Sequence, residues 1–74
     1  MRYREVTKKL SKLGCLETSS SGRSGGSHRK WYNPKQTPIV VVSVPDWGSK
    51  DLKTGTLRRI VKDLGFDWEE FTNA

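Results

Sequence analysis

The sequence predicts an α+β fold of order α-β-β-β-α, with two helices packed on one face of a three-stranded antiparallel sheet. Apolar residues recur at helical spacing near both ends of the chain, as Tyr3, Val6, Leu10 and Leu13 and again as Leu57, Ile60, Val61 and Leu64. Between them lie a stretch of strand-like alternation at 28–33 and a β-branched run at 39–44. Glycine, serine and proline punctuate the intervals, so the elements are short and separately bounded. A chain of 74 residues is expected to form one domain over 1–74. A domain this small buries only about 60% of its unfolded surface, so the expected core is thin.

The first helix is expected to bury one stripe and to turn Lys8, Lys9 and Lys12 toward other faces. Gly14 is placed to cap its C-terminus, and the late lysines suit the negative end of the helix. Residues 15–18 then read as a short strand. Cys15 opens it as a small apolar residue; there is no second cysteine or histidine with which to build a thiol pair or a metal site. A single cysteine allows no internal disulfide, which fits a reducing cytoplasm.

Residues 18–27 hold five serines, three glycines and one charge, Arg23. With little to bury and high backbone entropy, this stretch is expected to be a mobile loop. It is either a spacer or a flap whose arginine reaches an anion. The strand at 28–33 then places His28, Lys30 and Tyr32 on one face and Arg29, Trp31 and Asn33 on the other. Trp31 is the natural core anchor. Residues 34–38 read as a turn. The run at 39–44 is nearly all apolar, which predicts a central, well-covered strand with Val40, Val42 and Val44 as its inner set.

Pro45 stops that strand, and 46–53 is a polar loop carrying Trp47 and Gly48. Thr54 is expected to N-cap the second helix, Arg58, Arg59 and Lys62 to lie on its outer faces, and Gly65 to end it. Asp67 and Glu70 form a capping-box pattern for a last helical turn, with Phe66 and Phe71 spaced as a hydrophobic staple and Trp68 as a packing residue.

Charge narrows the partners. The net charge is +6, and residues 1–30 carry eight Lys and Arg against two acidic residues, whereas 31–74 carry six of each sign. All the surplus lies in the segments that lead to and open the His28 strand. A polyanion is the natural partner, and nucleic acid the commonest one. No apolar run is long enough to span a membrane and the N-terminus lacks the apolar core of a signal peptide, so neither membrane nor export is expected.

His28 is the one side chain whose ordinary pKa, about 6.5, suits proton transfer near neutrality. Placed beside fixed positive charge, it suits chemistry on a phosphodiester. RNA carries its own nucleophile in the 2′-hydroxyl, so a nuclease needs mainly a proton acceptor and charge stabilisation of the phosphorane. Lys30, or Arg29 and Arg23 through loop motion, would supply the charge, with Lys8 and Lys12 extending the RNA-binding surface. Protonation of the 5′-oxygen falls to Tyr32 or to a water. One histidine with no acidic cluster on its strand is a poor metal ligand set, so neither metal nor other cofactor is expected.

Beyond composition, the chain resembles the HicA-type mRNA interferase toxins, whose fold is related to double-stranded-RNA-binding domains. The resemblance runs over nearly the whole length. It is carried by Tyr3-Arg4-Glu5-Val6 and Lys12-Leu13-Gly14, by Gly26-Ser27-His28 ahead of an aromatic strand ending in Pro34, and by Val42-Ser43-Val44-Pro45. The stretch from Lys50 to Gly65 and the closing Trp68-Glu69-Glu70-Phe71 continue it. It implies the toxin of a type II toxin-antitoxin pair, an endoribonuclease cleaving mRNA through His28. It also implies a HicB-type antitoxin that covers the active face, with oligomers formed in its company. The chain departs from the pattern in its long loop at 18–27, in Lys30 where an apolar residue is common, and in Trp47 where a second histidine is frequent. Two other readings stay open: a non-catalytic RNA-binding module in which His28 and Tyr32 contact RNA, and a degenerate toxin acting only through protein partners.

Overall fold

The first helix forms where the periodicity places it. In the computed structural model, which describes residues 1–18, 28–48 and 50–74 and residue 28 by its backbone alone, α1 spans Tyr3–Lys12. Val6 and Leu10 lie one turn apart and are fully buried. Each contributes about 1.5–3 kcal/mol by leaving water. The helix ends in a Schellman motif: Gly14 takes the left-handed φ of 93°, its N–H donates to the Ser11 carbonyl at 3.0 Å, and the Cys15 N–H donates to the Leu10 carbonyl at 2.9 Å. The glycine expected to cap the helix therefore sits one place beyond the cap residue, Leu13.

Three strands follow: β1 (Leu16–Glu17), β2 (His28–Tyr32) and β3 (Val41–Pro45). They pair antiparallel in the order β1-β2-β3, with Leu16 opposite Tyr32, Glu17 opposite Trp31, His28 opposite Pro45 and Tyr32 opposite Val41. The central strand is therefore β2. The β-branched run, expected to be a central, well-covered strand, is instead an edge. Val42 and Val44 are buried as expected, but Val41 is 51% exposed. Val40, assigned to the inner set, precedes the strand and is 39% exposed. The helices cover one side of the sheet only, so the alternate residues of an apolar run have nothing to pack against. The Gly/Ser-rich stretch, residue 19 onward, lies outside the described residues.

The connection from β2 to β3 is more than a turn. The buried Asn33 side chain donates from Nδ2 to the Leu64 carbonyl at 3.0 Å, and its Oδ1 accepts the Lys35 N–H at 3.0 Å. Gln36 Nε2 donates to the Asp63 carbonyl at 2.9 Å. Two side-chain amides thus satisfy the end carbonyls of α2 (Thr54–Asp63), groups that a helix leaves without internal partners. Helix α2 closes in a second Schellman motif, with Gly65 at φ 87°, its N–H on the Lys62 carbonyl and the Phe66 N–H on the Val61 carbonyl. At its start the expectation is corrected. Lys53 is the N-cap residue, extended at ψ 141° with its carbonyl accepting the Leu57 N–H at 3.0 Å, and Thr54 is already helical.

Helix α3 (Trp68–Thr72) adds a third, short helix where a capped final turn was expected. Its capping box is formed on the Glu70 side, the Asp67 N–H donating to Glu70 Oε1 at 3.2 Å. Phe71 is fully buried. Lys9 of α1 closes the other end, its Nζ donating to the carbonyls of Thr72 at 2.9 Å and Ala74 at 3.2 Å. Leu57, Ile60 and Val61 of α2 and its C-cap Leu64 meet Val6, Leu10, Trp31, Val42, Val44 and Phe71 in one core between the helices and the sheet. Arg58 of α2 lies over the Trp68 ring, 4.6 Å from its centroid.

Candidate functional site

A strand alternates its side chains between two faces, and burial says which face is which. Trp31, Val42 and Val44 turn to the helices and are buried. Positions 28, 30 and 32 of β2 have the other parity, shared with 16 of β1 and with 41 and 43 of β3. The helices leave that face open. Leu16 is 50% exposed, and with the half-buried Tyr32 and exposed Val41 it forms a row across the sheet. Exposed Lys30 pairs with exposed Ser43 in the next row, and His28 pairs where the sheet ends with Pro45, which is buried although it shares that parity. Three of the candidate residues, His28, Lys30 and Tyr32, thus occupy consecutive same-face positions of the central strand.

Arg29 has the opposite parity and a different role. Its Nη1 lies 3.4 Å from Glu17 Oε2 and its Nε 3.4 Å from Asp46 Oδ2. One guanidinium therefore ties β1, β2 and the residue after β3. The hydrogen bond to Glu17 is the main reason that its pKa is raised further. An exposed pair of this kind adds little stability, but it commits the charge. Lys8 and Lys12 are exposed on α1, on the side away from Val6 and Leu10. With α1 on the covered side of the sheet, the core separates them from Lys30 and Tyr32. Arg23 lies outside the described residues.

Residues singled out only as charge or packing in the sequence form a further feature. An open groove of about 330 Å³ is lined by Arg2, Tyr3, Arg4, Asp46 and Gly48. It lies at the His28 end of the sheet, since Asp46 directly follows Pro45. Burial pushes the Tyr3 hydroxyl above its ordinary pKa, opposed by the hydrogen bond that it accepts from Trp31 Nε1 at 3.1 Å. The available signal was the pair of arginines bracketing Tyr3 at a helix start, where cations are normally disfavoured.

Cys15 is buried just ahead of β1, and burial pushes its thiol up to about 11. A thiol so placed is protonated at neutral pH and inert as a nucleophile. Among the described residues, no three His, Cys, Asp or Glu side chains cluster as a metal site would require. Among the described residues no helix is long and apolar enough to cross a membrane.

A family model described as the HicA toxin of bacterial toxin-antitoxin systems matches residues 3–66. No curated protein and no solved structure matches the chain.

Proposed function

The chain belongs to the HicA toxin family of bacterial toxin-antitoxin systems, and from that premise we propose that it is a histidine-dependent, metal-independent endoribonuclease acting on mRNA. What supports this reading is the backbone placement of positions 28, 30 and 32 at alternate residues of β2, a parity on which Lys30 and, across the pairing, Ser43 and Val41 are exposed. In the proposed reaction His28 accepts the 2′-hydroxyl proton as the 2′-oxygen attacks phosphorus. The P–O5′ bond breaks, and the 5′-oxygen takes a proton from the Tyr32 hydroxyl or a water. The products are a 2′,3′-cyclic phosphate and a free 5′-hydroxyl. General base catalysis of this kind contributes about 10²–10⁴-fold. Lys30 is the side chain on that face suited to neutralise the phosphorane; Arg29 is engaged by two carboxylates.

A toxin needs an antitoxin, and the same face is suited to one. Leu16 and Val41 are each about half exposed and flank Tyr32 across the sheet. Contiguous apolar surface rimmed by polar residues is characteristic of a protein interface. We assign this face to a HicB-type antitoxin, which would cover positions 28, 30 and 32 as it docks and so block RNA. The deciding experiment is induction in cells without antitoxin. Wild-type protein should arrest growth and fragment mRNA, and His28→Ala should do neither. Equal toxicity of the two would remove His28 from the mechanism.

A further inference from the structure

We propose that the groove between Arg2 and Arg4 holds a backbone phosphate of single-stranded RNA, and that Trp47, on the loop forming the opposite wall, stacks the neighbouring base. This deepens the ribonuclease reading and rests on it for the identity of the polymer. Arg2 is the N-cap residue of α1 and Arg4 lies in its first turn, so two guanidiniums stand at the positive end of the helix. Among the described residues neither ion-pairs with a carboxylate. Glu5 offsets part of the charge while its Oε1 accepts the Arg2 N–H at 3.1 Å. Asp46 also lines the groove, but its carboxylate is occupied. Oδ2 faces Arg29 at 3.4 Å and Oδ1 accepts the Gly48 N–H at 3.3 Å. The groove thus carries uncompensated positive charge, which a bound phosphate would relieve.

The arginines stand on fixed backbone. Arg2 bridges Asp51, and the Leu52 N–H donates to the Met1 carbonyl at 2.9 Å. Trp47 lies between Asp46 and Gly48, both of which line the groove. It is 40% exposed, whereas Trp31 is buried and Trp68 packs against the core under Arg58. A partly exposed indole on the loop whose Asp46 and Gly48 line a cationic groove matches how proteins take single-stranded nucleic acid, with base stacking and phosphate contact combined. A duplex keeps its bases stacked on one another and offers Trp47 nothing.

The test is a tryptophan-fluorescence titration with a short 2′-O-methyl oligouridine, which lacks the attacking hydroxyl and cannot be cleaved. Binding should quench the emission. Trp47→Ala should weaken binding roughly 5- to 150-fold and remove most of the quench, with Trp47→Phe in between. The double change Arg2→Gln and Arg4→Gln should lower the salt slope of binding by about 0.7, the value for one single-strand phosphate. Arg2 and Arg4 are exposed and Trp47 is 40% exposed, so the urea midpoint of each variant should stay close to that of the wild type. Unaltered affinity in both the Trp47 and the arginine variants, or equal affinity for the annealed duplex, would overturn the proposal. A wild-type protein that binds the oligomer through these residues yet leaves natural RNA intact overturns the nuclease and supports the groove. Wild-type cleavage that the variants leave unchanged in both kcat and KM overturns the groove alone.

Discussion

The indole Nε1 of Trp31, in the central strand, donates to the Tyr3 hydroxyl in the first turn of α1 at 3.1 Å. A buried N–H must find an acceptor, and this one finds it on the element that also forms one wall of the cationic groove. Replacing Tyr3 with Phe keeps the ring and removes the acceptor. The expected loss is about 1–3 kcal/mol, the cost of a buried donor left unpaired, read as a lower midpoint in urea at unchanged slope.

Asn33 is a second such joint. Its amide ties the end of β2 to the Leu64 carbonyl at the end of α2. Asn33→Ala leaves that carbonyl without its partner and also deletes the acceptor for the Lys35 N–H. A destabilisation of about 1–3 kcal/mol is expected. Hydrogen exchange should show the last turn of α2 and the loop after β2 opening first. A loss spread evenly over the molecule would mean that the joint is not local.

The buried thiol makes a pH prediction. Cys15 titrates near 9.0 when solvated and is raised to about 11 in the fold, so the folded state favours the neutral thiol. Its contribution is complete below the unfolded pKa and is lost as pH rises through the folded one. Between about pH 9 and pH 11 the wild type should lose on the order of 2 kcal/mol relative to Cys15→Ala. Using the alanine variant as reference cancels Tyr3, whose raised pKa shifts alkaline stability in both proteins alike.

Metal removal separates mechanisms. If His28 and the RNA's own hydroxyl do the chemistry, cleavage by purified protein continues in excess EDTA at an unchanged rate. Complete loss in EDTA, restored by a divalent ion, would replace the proposed mechanism with a metal-assisted one.

The open sheet face predicts a separation of toxicity from neutralisation. Val41 is 51% exposed on the edge strand, so Val41→Asp should change stability by no more than about 0.5 kcal/mol. It should abolish protection by the antitoxin while leaving growth arrest intact. A variant still neutralised at the same antitoxin dose would move the interface elsewhere.

Much of the architecture was legible in the chain because it depends on local rules. Helical spacing alone identified the buried stripes Val6–Leu10 and Leu57–Leu64, and the two glycines after them mark the left-handed ends that only glycine adopts cheaply. The parity of His28, Lys30 and Tyr32 likewise follows from the pleat. What the sequence could not decide is which neighbours each strand and charge acquires. The apolar run of β3 reads the same whether it is covered on two faces or one, and only the placement of all the helices on one side leaves Val41 in solvent. Arg29 reads as a free cation until folding brings Glu17 and Asp46 to it from separate segments. Arg2, Arg4, Asp46 and Gly48 line one groove because the chain start, with residues 1–2 paired to 51–52, is folded back against the segment after β3. Periodicity is a property of consecutive residues, whereas burial of a face and pairing of a charge depend on distant segments, and only the tertiary structure supplies those.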